Sequence, residues 1–307
     1  MGVTVVSWNI AKKREPWREL VRMGADVALL QEAAPPPDDV VGLRDATLPT
    51  AEGAGPLDIG PQDAWDSHSW NSDWWHGRGW KALFDRWPMV VKLSDRVEVE
   101  WFRQISPVWE GEPDEIPVSG IGTITAARVT PKDCSIEPFI AVSMYGRWLG
   151  PHPSATGDWI YSDASTHRII SDLSTFIGYY DRPSEHRILA AGDLNMSFNS
   201  TNEFDHRAQT VLDRFRALGL DYLGPQYPAG RRADPIPAHL NEESLDIPTY
   251  YHVPTNTPAG ANVQLDHVFA SRGFHKSVKV RALNEVDEWG SSDHCRVVLN
   301  VGEGGIG

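Results

Sequence analysis

The feature that most constrains this chain is a short apolar run that ends in a glycine and two polar residues. Residues 187–197 read RILAAGDLNMS, so the apolar stretch 188–191 is followed by Gly192, Asp193 and Asn195. A run of this length, closed by a glycine, favours a buried strand over a helix. Side chains two apart on an extended chain point the same way, so Asp193 and Asn195 would project together from the strand end. A plain turn would also account for this pair, because Asp and Asn are common in turns.

Other strand candidates carry polar residues of the same types. Residues 3–8 are followed by Asn9, residues 27–30 are followed by Gln31 and Glu32, residues 263–270 contain Asp266 and His267, and residues 295–301 are preceded by Asp293 and His294. A charged residue inside an apolar strand needs a partner. We therefore expect these side chains to interact.

Further elements follow from apolar periodicity. Strands are predicted at 89–101, 122–129 and 139–144, the last followed by Tyr145, and helices at 16–23, 165–177 and 203–218. Strands that alternate with helices indicate sheets covered by helices. The 307 residues show no repeat, low-complexity tract or linker, so a single domain spanning residues 1–307 is expected.

Composition excludes some classes of protein. The net charge of −14 argues against a protein that coats nucleic acid, since an acidic surface gains no general attraction to polyphosphate. It does not exclude an enzyme in which a metal ion supplies positive charge locally. Cys134 and Cys295 lie far apart and form no metal-ligand spacing, which favours two free thiols, with a disulfide as the alternative.

Location is inferred from what the N-terminus and the apolar runs look like. The first residues, MGVTVVSWNI, lead directly into a strand without the pattern of a signal peptide. No apolar run approaches the roughly 20 residues needed to span a bilayer. We therefore expect a cytoplasmic protein without a transmembrane segment, and nothing indicates an obligate protein partner.

Two segments could grip a substrate. Eight of the 13 tryptophans lie between Trp65 and Trp109; most are expected to pack between layers, with Trp74, Trp75 and Trp80 as surface candidates for stacking on bases or sugars. The proline-rich stretch 225–258 contains Arg231 and Arg232. Paired arginines can clamp phosphate, although an exposed pair is usually only solvated.

If the five strand ends converge, four carboxylates share one pocket: Glu32, Asp193, Asp266 and Asp293. They would repel one another unless a cation lay among them. Oxygen ligands without a cysteine pair favour a hard ion, Mg²⁺ or alternatively Mn²⁺, over zinc.

The motifs that carry these residues occur in a recognisable order. WNI at 8–10, QE at 31–32, GDLN at 192–195, LDHVF at 265–269 and SDH at 292–294 resemble the endonuclease/exonuclease/phosphatase superfamily, which has the deoxyribonuclease I-like fold. The resemblance covers essentially the whole chain. It implies an α+β fold, a four-layer sandwich in which two mostly antiparallel mixed β-sheets are stacked and flanked by helices.

The resemblance also implies roles for single residues. The metal ligands would be Glu32, with Asn9 beside it, and Asp293. Asp193 would activate the attacking water, and Asn195 would contact the phosphate. His294, with Asp266 as its carboxylate partner, and Tyr145, near the phosphate, would be the other catalytic residues. Tyr250 resembles a residue on the rim of the site, and Arg231 and Arg232 join it as candidates for substrate binding. Some branches place a His near the position of Tyr145, and this chain has none there.

Three functions remain open at this point. The first is a metal-dependent nuclease or other phosphodiesterase acting on a phosphate ester such as nucleic acid. The second is a phosphatase or phospholipase C-type enzyme acting on an inositol phosphate, sphingomyelin or another small head group. The third is a scaffold that has lost catalysis, which ranks last because all the candidate site residues are of catalytically competent types.

Overall fold

A computed structural model describes residues 2–33, 36–41, 57–65, 87–105, 112–118, 123–147, 154, 163–178, 182, 185–199 and 205–302. The strands are β1 (Val3–Asn9), β2 (Val27–Ala33), β3 (Trp87–Lys92), β4 (Val97–Trp101), β5 (Arg103–Ile105), β6 (Glu115–Pro117), β7 (Ile124–Pro131), β8 (Phe139–Tyr145), β9 (Ile188–Asp193), β10 (Leu220–Gly224), β11 (Asp266–Ser271), β12 (Val278–Leu283) and β13 (Arg296–Val301). The helices are α1 (Glu15–Arg22), α2 (Asp38–Val41), α3 (Gln62–Trp65), α4 (Asp163–Leu173) and α5 (Asp205–Ala217), with 3-10 turns at Ser174–Phe176, Pro258–Gly260 and Phe274–Ser277.

Two large sheets form the centre of the fold. The first has the order β12-β13-β1-β2-β3 and the second has the order β10-β11-β9-β8-β7-β4. Each contains a single parallel pair, β1 with β2 and β8 with β9, and its other pairs are antiparallel. The predicted α+β sandwich of two mostly antiparallel mixed sheets is therefore confirmed.

Apolar side chains fill the space between the two sheets. Val5 of β1 and Leu29 of β2 face Ala141 of β8 and Leu189 of β9 in one buried cluster. The outer faces are covered by helices: Trp17 of α1 packs on the first sheet, and α4 and α5 pack on the second. The predicted helices at 16–23, 165–177 and 203–218 correspond to α1, α4 and α5 with small shifts at their ends.

The predicted strand at 89–101 is wrong in one respect, because the chain forms two strands there. The stretch β3 belongs to the first sheet and β4 to the second, so the chain crosses between the sheets at residues 93–96. Asp26, which is fully buried, accepts hydrogen bonds from Ser94 and from the Arg96 guanidinium at this crossing. Strands β10 and β12 were not predicted, since their alternating polar residues resemble loops as much as edge strands.

No helix in the described part of the chain is long and apolar enough to cross a membrane.

Two of the tryptophans pack between layers, as expected. Trp65 is buried, and the ring N–H of Trp101 donates to the carbonyl of Val90 at 2.7 Å. The stacking candidates Trp74, Trp75 and Trp80 lie outside the described residues.

His267, inside β11, is a buried neutral histidine. Its Nε2–H donates to the carbonyl of Met196 at 2.8 Å, and the Tyr222 hydroxyl lies 3.1 Å from Nδ1. Burial is the main cause that lowers the pKa of His267, to about 4. The folded protein therefore resists protonation of a side chain that takes up a proton near pH 6.5 when unfolded.

We predict that the free energy of unfolding falls as the pH drops from about 6.5 to about 4, by up to about 3 kcal/mol from this residue. The sign follows because a depressed folded-state pKa stabilises the fold above the unfolded pKa, and this stabilisation is lost on acidification. Urea unfolding of the wild type and of His267→Gln at pH 7.5, 5.5 and 4.5 tests it. Equal pH dependence of the two proteins would contradict the assignment.

Candidate active site

The two parallel strand pairs bring the predicted polar residues to the same edge of the sandwich. Asn9 at the end of β1 lies beside Gln31 of β2, and Tyr145 at the end of β8 lies beside Asp193 of β9. The antiparallel strand β11 begins at this edge, so Asp266 pairs directly with Asp193. Residues from both ends and the middle of the chain therefore meet in one place.

A cavity of about 410 Å³ opens where these strand ends meet. It is lined by Asn9, Ala11, Glu32, Tyr145, Asp193, Asn195, Tyr250, Leu265, Asp293 and His294. The expectation that four carboxylates share the pocket needs one correction. Asp266 is not part of the lining, because it is buried and bonded to His294.

His294 is held between two buried carboxylates. Its Nδ1 lies 2.8 Å from Oδ2 of Asp266, and its Nε2 lies 3.8 Å from Oδ2 of Asp193. Burial opposes charge on the ring, but Asp266 and Asp193 outweigh this effect and raise the pKa of His294 well above its usual value. The geometry therefore favours an imidazolium whose Nε2–H points towards Asp193 and the cavity.

Asp193 is oriented by amide groups on both sides. Its Oδ1 accepts from the backbone N–H of Asn195 at 2.7 Å, and its Oδ2 accepts from the side-chain amide of Asn9 at 2.9 Å. Burial, the largest cause, raises the pKa of Asp193, and His294 is the main opposing influence. A carboxylate with a raised pKa is closer to the range in which a general base works at neutral pH.

Glu32 faces Tyr145 across the gap between the sheets. The Tyr145 hydroxyl donates to Oε1 of Glu32 at 2.8 Å. Asn195, on the far side of Asp193, donates from its side-chain amide to the carbonyl of Gly146 at 2.8 Å. A side chain at Gly146 would collide with the backbone of Leu194, so only glycine allows this close approach.

Backbone strain concentrates at the cavity. Among the described residues, the non-glycine residues with positive φ are Ala11, Lys12, Glu32 and Asn195, with φ between 46° and 58°. Three of these four line the cavity and Lys12 follows directly after one of them. Such conformations cost free energy and cluster at functional sites, where the surrounding structure holds them in place. This supports the location of the site independently of side-chain chemistry.

The carboxylate and amide side chains that line the cavity suit a divalent metal ion that keeps several of its water ligands. Among the described residues, no three His, Cys, Asp or Glu side chains are grouped closely enough to form a metal cage. Glu32, Asp293 and the amide of Asn9 nonetheless line the same cavity with oxygen atoms. Mg²⁺ is commonly bound in this way, through one or two carboxylates, several waters and the phosphate of a substrate.

Of the three described candidates for substrate binding, Arg231, Arg232 and Tyr250, it is Tyr250 that lines the cavity. Its ring centroid is 4.9 Å from that of His294. The Arg231 guanidinium donates to the carbonyls of Asn284 and Pro258, and Arg232 donates to the carbonyl of Glu242. Neither arginine lines the cavity, so the idea that they clamp the reacting phosphate gains no support from their placement.

Three further residues support the site: Trp8 and Ser292 had no role assigned from the sequence, whereas Thr249 directly precedes Tyr250, which was predicted on the rim of the site. The ring N–H of Trp8 donates to the carbonyl of His294 at 2.9 Å, and the hydroxyl of Ser292 donates to the carbonyl of Asn9 at 2.7 Å. The hydroxyl of Thr249 accepts from the backbone N–H groups of Leu265 and Asp266. The sequence could have indicated the supporting role of Trp8 and Ser292, because these residues belong to the WNI and SDH tripeptides.

Solved structures share this architecture over nearly the whole chain. The endonuclease domain of TRAS1, a telomere-specific non-LTR retrotransposon, has a TM-score of 0.54 at 16% identity and 98% coverage of both chains. The AP endonuclease LMAP from Leishmania major has a TM-score of 0.58 at 14% identity, with 98% of this chain and 88% of that chain covered. The catalytic domain of Xenopus laevis APE2 has a TM-score of 0.56 at 14% identity, with 99% and 94% covered.

No family model and no curated protein matches the sequence. At identities of 14–16%, the structural likeness establishes the fold and not the substrate. The strand order, the position of the cavity and these comparisons together show that the chain has a deoxyribonuclease I-like fold.

Proposed function

We propose that the protein, as a single domain, is a divalent-metal-dependent phosphoesterase, and that its substrate is a nucleic acid. The observation that carries this proposal is the buried group of His294, Asp266 and Asp193, which opens into a cavity also lined by Glu32 and Asp293. The similar solved structures are an endonuclease domain, an AP endonuclease and a catalytic domain of the same fold. Free thiols at both cysteines agree with a reducing, cytoplasmic location.

The carboxylates, the histidine and the Asn9 amide of the cavity have distinct roles in the proposed hydrolysis. Mg²⁺ or Mn²⁺, held by Glu32 and Asp293 with the amide of Asn9, would neutralise charge on the phosphoryl oxygens. Asp193 takes the proton of the attacking water, because its carboxylate is oriented by two amides and has a raised pKa. The water oxygen bonds to phosphorus as the P–O bond to the leaving group breaks, and the leaving oxygen takes up a proton from solvent water. His294, kept cationic by Asp266, donates to a non-bridging oxygen as negative charge develops there.

Two further side chains hold the groups that face the phosphate. The Asn195 amide donates to the carbonyl of Gly146 at 2.8 Å and to Oδ2 of Asp193 at 3.2 Å, so one amide group ties the carboxylate to the cavity wall. The Tyr145 hydroxyl holds Glu32 at the opposite wall. Asp193 and Glu32 are therefore fixed before the phosphate binds, which lowers the cost of orientation during the reaction.

A basic loop at the cavity supports a polyanionic substrate. Lys12, Lys13 and Arg14 are exposed and follow directly after Ala11, which lines the cavity. The loop is fixed there because the backbone N–H of Ala11 donates to the Asn9 side chain and that of Lys12 donates to the carbonyl of Glu32. Three adjacent cations in a chain of net charge −14 provide local attraction for phosphates beside the scissile bond.

The second candidate is a phosphatase or phospholipase C-type enzyme acting on a small head group. The overall charge of −14 favours it, since an acidic surface repels long polyanions outside the basic loop. The two candidates differ in a measurable way. A polynucleotide reaches past the cavity onto Lys12, Lys13 and Arg14, whereas a small phosphate ester is accommodated within it.

We predict that Asp193→Asn lowers kcat on a DNA substrate with Mg²⁺ by about 10² to 10⁴-fold, the usual cost of losing a general base. His294→Ala should lower it by about 10² to 10³-fold, the usual cost of losing a donor to developing negative charge. Initial rates at saturating substrate measure the loss, and circular dichroism verifies folding. The matched controls are His206→Ala and Asp213→Asn, which change exposed residues on α5. Wild-type turnover by either site variant would refute the roles given to these residues.

We predict that the triple variant Lys12→Gln, Lys13→Gln, Arg14→Gln binds a DNA oligonucleotide more weakly, with a raised KM. The slope of log KM against log salt should flatten by up to about 2 to 3, because each lost phosphate contact contributes about 0.7 to 0.9. Steady-state kinetics at several salt concentrations measure this change.

The matched control carries the same charge change at the opposite ends of the strands: Lys132→Gln, Arg272→Gln, Lys276→Gln. These cations are exposed and follow the ends of β7 and β11 or precede β12, far from the cavity edge. If both triple variants keep the wild-type salt slope, the basic loop does not bind substrate, and the small head-group ester becomes the better candidate.

A further inference from the structure

Gln31 is a buried amide that joins the two sheets directly beneath the cavity. Its Nε2 donates to the carbonyl of Leu29 at 3.0 Å and to the hydroxyl of Ser143 on β8 at 2.9 Å. Ser143 in turn donates to the carbonyl of Leu30 at 2.7 Å. Both residues are completely buried. Strand β2 of the first sheet is therefore tied twice to strand β8 of the second sheet at this level.

The strand changes direction immediately after Gln31. The pairing of β2 with β3 shifts register between Leu30 and Ala33, and Glu32 has φ of 46°. On a regular strand, the side chains of Gln31 and Glu32 would point to opposite faces. Here both cross to β8, where Gln31 reaches Ser143 and Glu32 reaches Tyr145 two residues further along. The bulge is what turns Glu32 into the cavity.

The buried amide of Gln31 lowers the stability of the folded state in one respect. The Oε1 atom of Gln31 is buried and has no hydrogen-bond partner among the described residues. A buried acceptor without a partner destabilises the folded state, and an apolar side chain of the same volume would avoid this cost. The interactions of Nε2, which hold the strand just before the bulge, are the gain that offsets it.

We propose that Gln31, clamped by Ser143, is the positioning residue for Glu32, so that the amide sets where the candidate metal carboxylate lies relative to Tyr145. This inference rests on the proposed function for the role of Glu32. A positioning role for Gln31 differs from a purely structural role in one respect. Loss of the clamp displaces a metal ligand, whereas loss of an ordinary buried hydrogen bond lowers only stability.

Gln104 offers a matched comparison within the same molecule. It is also buried, its Nε2 donates to the carbonyls of Ala64 and Ile124, and its Oε1 also lacks a partner among the described residues. Among the described residues, the hydrogen bonds of its side chain do not reach the strand that carries Glu32. Replacing either glutamine by Met removes comparable hydrogen bonds and retains a similar volume. Only the replacement of Gln31 is expected to release the bulge of β2 that carries Glu32.

The test measures Mn²⁺ binding without turnover, by isothermal titration calorimetry of the purified full chain. Gln31→Met and Ser143→Ala should each raise the Kd for Mn²⁺ by about 10-fold or more, the usual effect of losing a supporting partner of a metal ligand. The double variant should be no weaker than the singles, because both changes break the same clamp. Gln104→Met should stay within about twofold of wild type, and Ser143→Thr, which keeps a hydroxyl, should restore binding.

A crystal structure of metal-free Gln31→Met provides a second readout that needs no ion. The inference predicts that Glu32 leaves its positive φ and that its bond to the Tyr145 hydroxyl is lost. Wild-type Mn²⁺ affinity in Gln31→Met, or a retained Glu32–Tyr145 bond in that crystal, overturns the inference. A wild-type protein that binds Mn²⁺ but cleaves no phosphate ester defeats the proposed function instead, and leaves the positioning role intact.

Discussion

The buried contact between His294 and Asp266 is the interaction on which the rest of the site depends. An imidazolium can remain below the surface only because a carboxylate lies 2.8 Å away, and removing one partner of such a pair costs about 3–5 kcal/mol. The strand pairing of the second sheet places the carboxylates that the buried imidazolium needs. Strand β11 brings Asp266 next to Asp193, and the Thr249 hydroxyl accepts from the backbone N–H groups of Leu265 and Asp266. The geometry of the candidate site is thus part of the pairing of the second sheet.

The first sheet supplies the opposite wall of the cavity, and its contribution depends on contacts between the sheets. Asn9 bonds to Asp193, Glu32 bonds to Tyr145, and Gln31 bonds to Ser143, so three hydrogen bonds cross from one sheet to the other near the same edge. The apolar cluster below them keeps the sheets at a fixed separation. Because one of these bonds ends at Glu32, which has a φ of 46°, the packing of the core helps to hold this strained residue in its position at the cavity.

Much of this arrangement follows from the sequence, because short apolar runs followed by polar residues predict strand ends. Asn9, Glu32, Asp193 and His294 were identified in this way, and the order of their motifs indicated the fold. What the sequence could not predict was three-dimensional: that Asp266, the expected partner of His294, is buried outside the lining of the cavity, and that the stretch 89–101 crosses between sheets. The placement of Arg231 and Arg232 outside the lining of the cavity could not be predicted either, since local composition does not show which carbonyls a guanidinium will reach.

The clearest test of the central claim follows the oxygen atom that attacks the phosphorus. Purified protein is incubated with a DNA duplex and Mg²⁺ in water enriched in oxygen-18, and the terminal phosphates of the products are analysed by mass spectrometry, with and without EDTA. The account predicts cleavage with one labelled oxygen per new phosphate terminus, and none when the metal is removed. Absence of cleavage, cleavage without label, or labelled cleavage that persists in EDTA would contradict it.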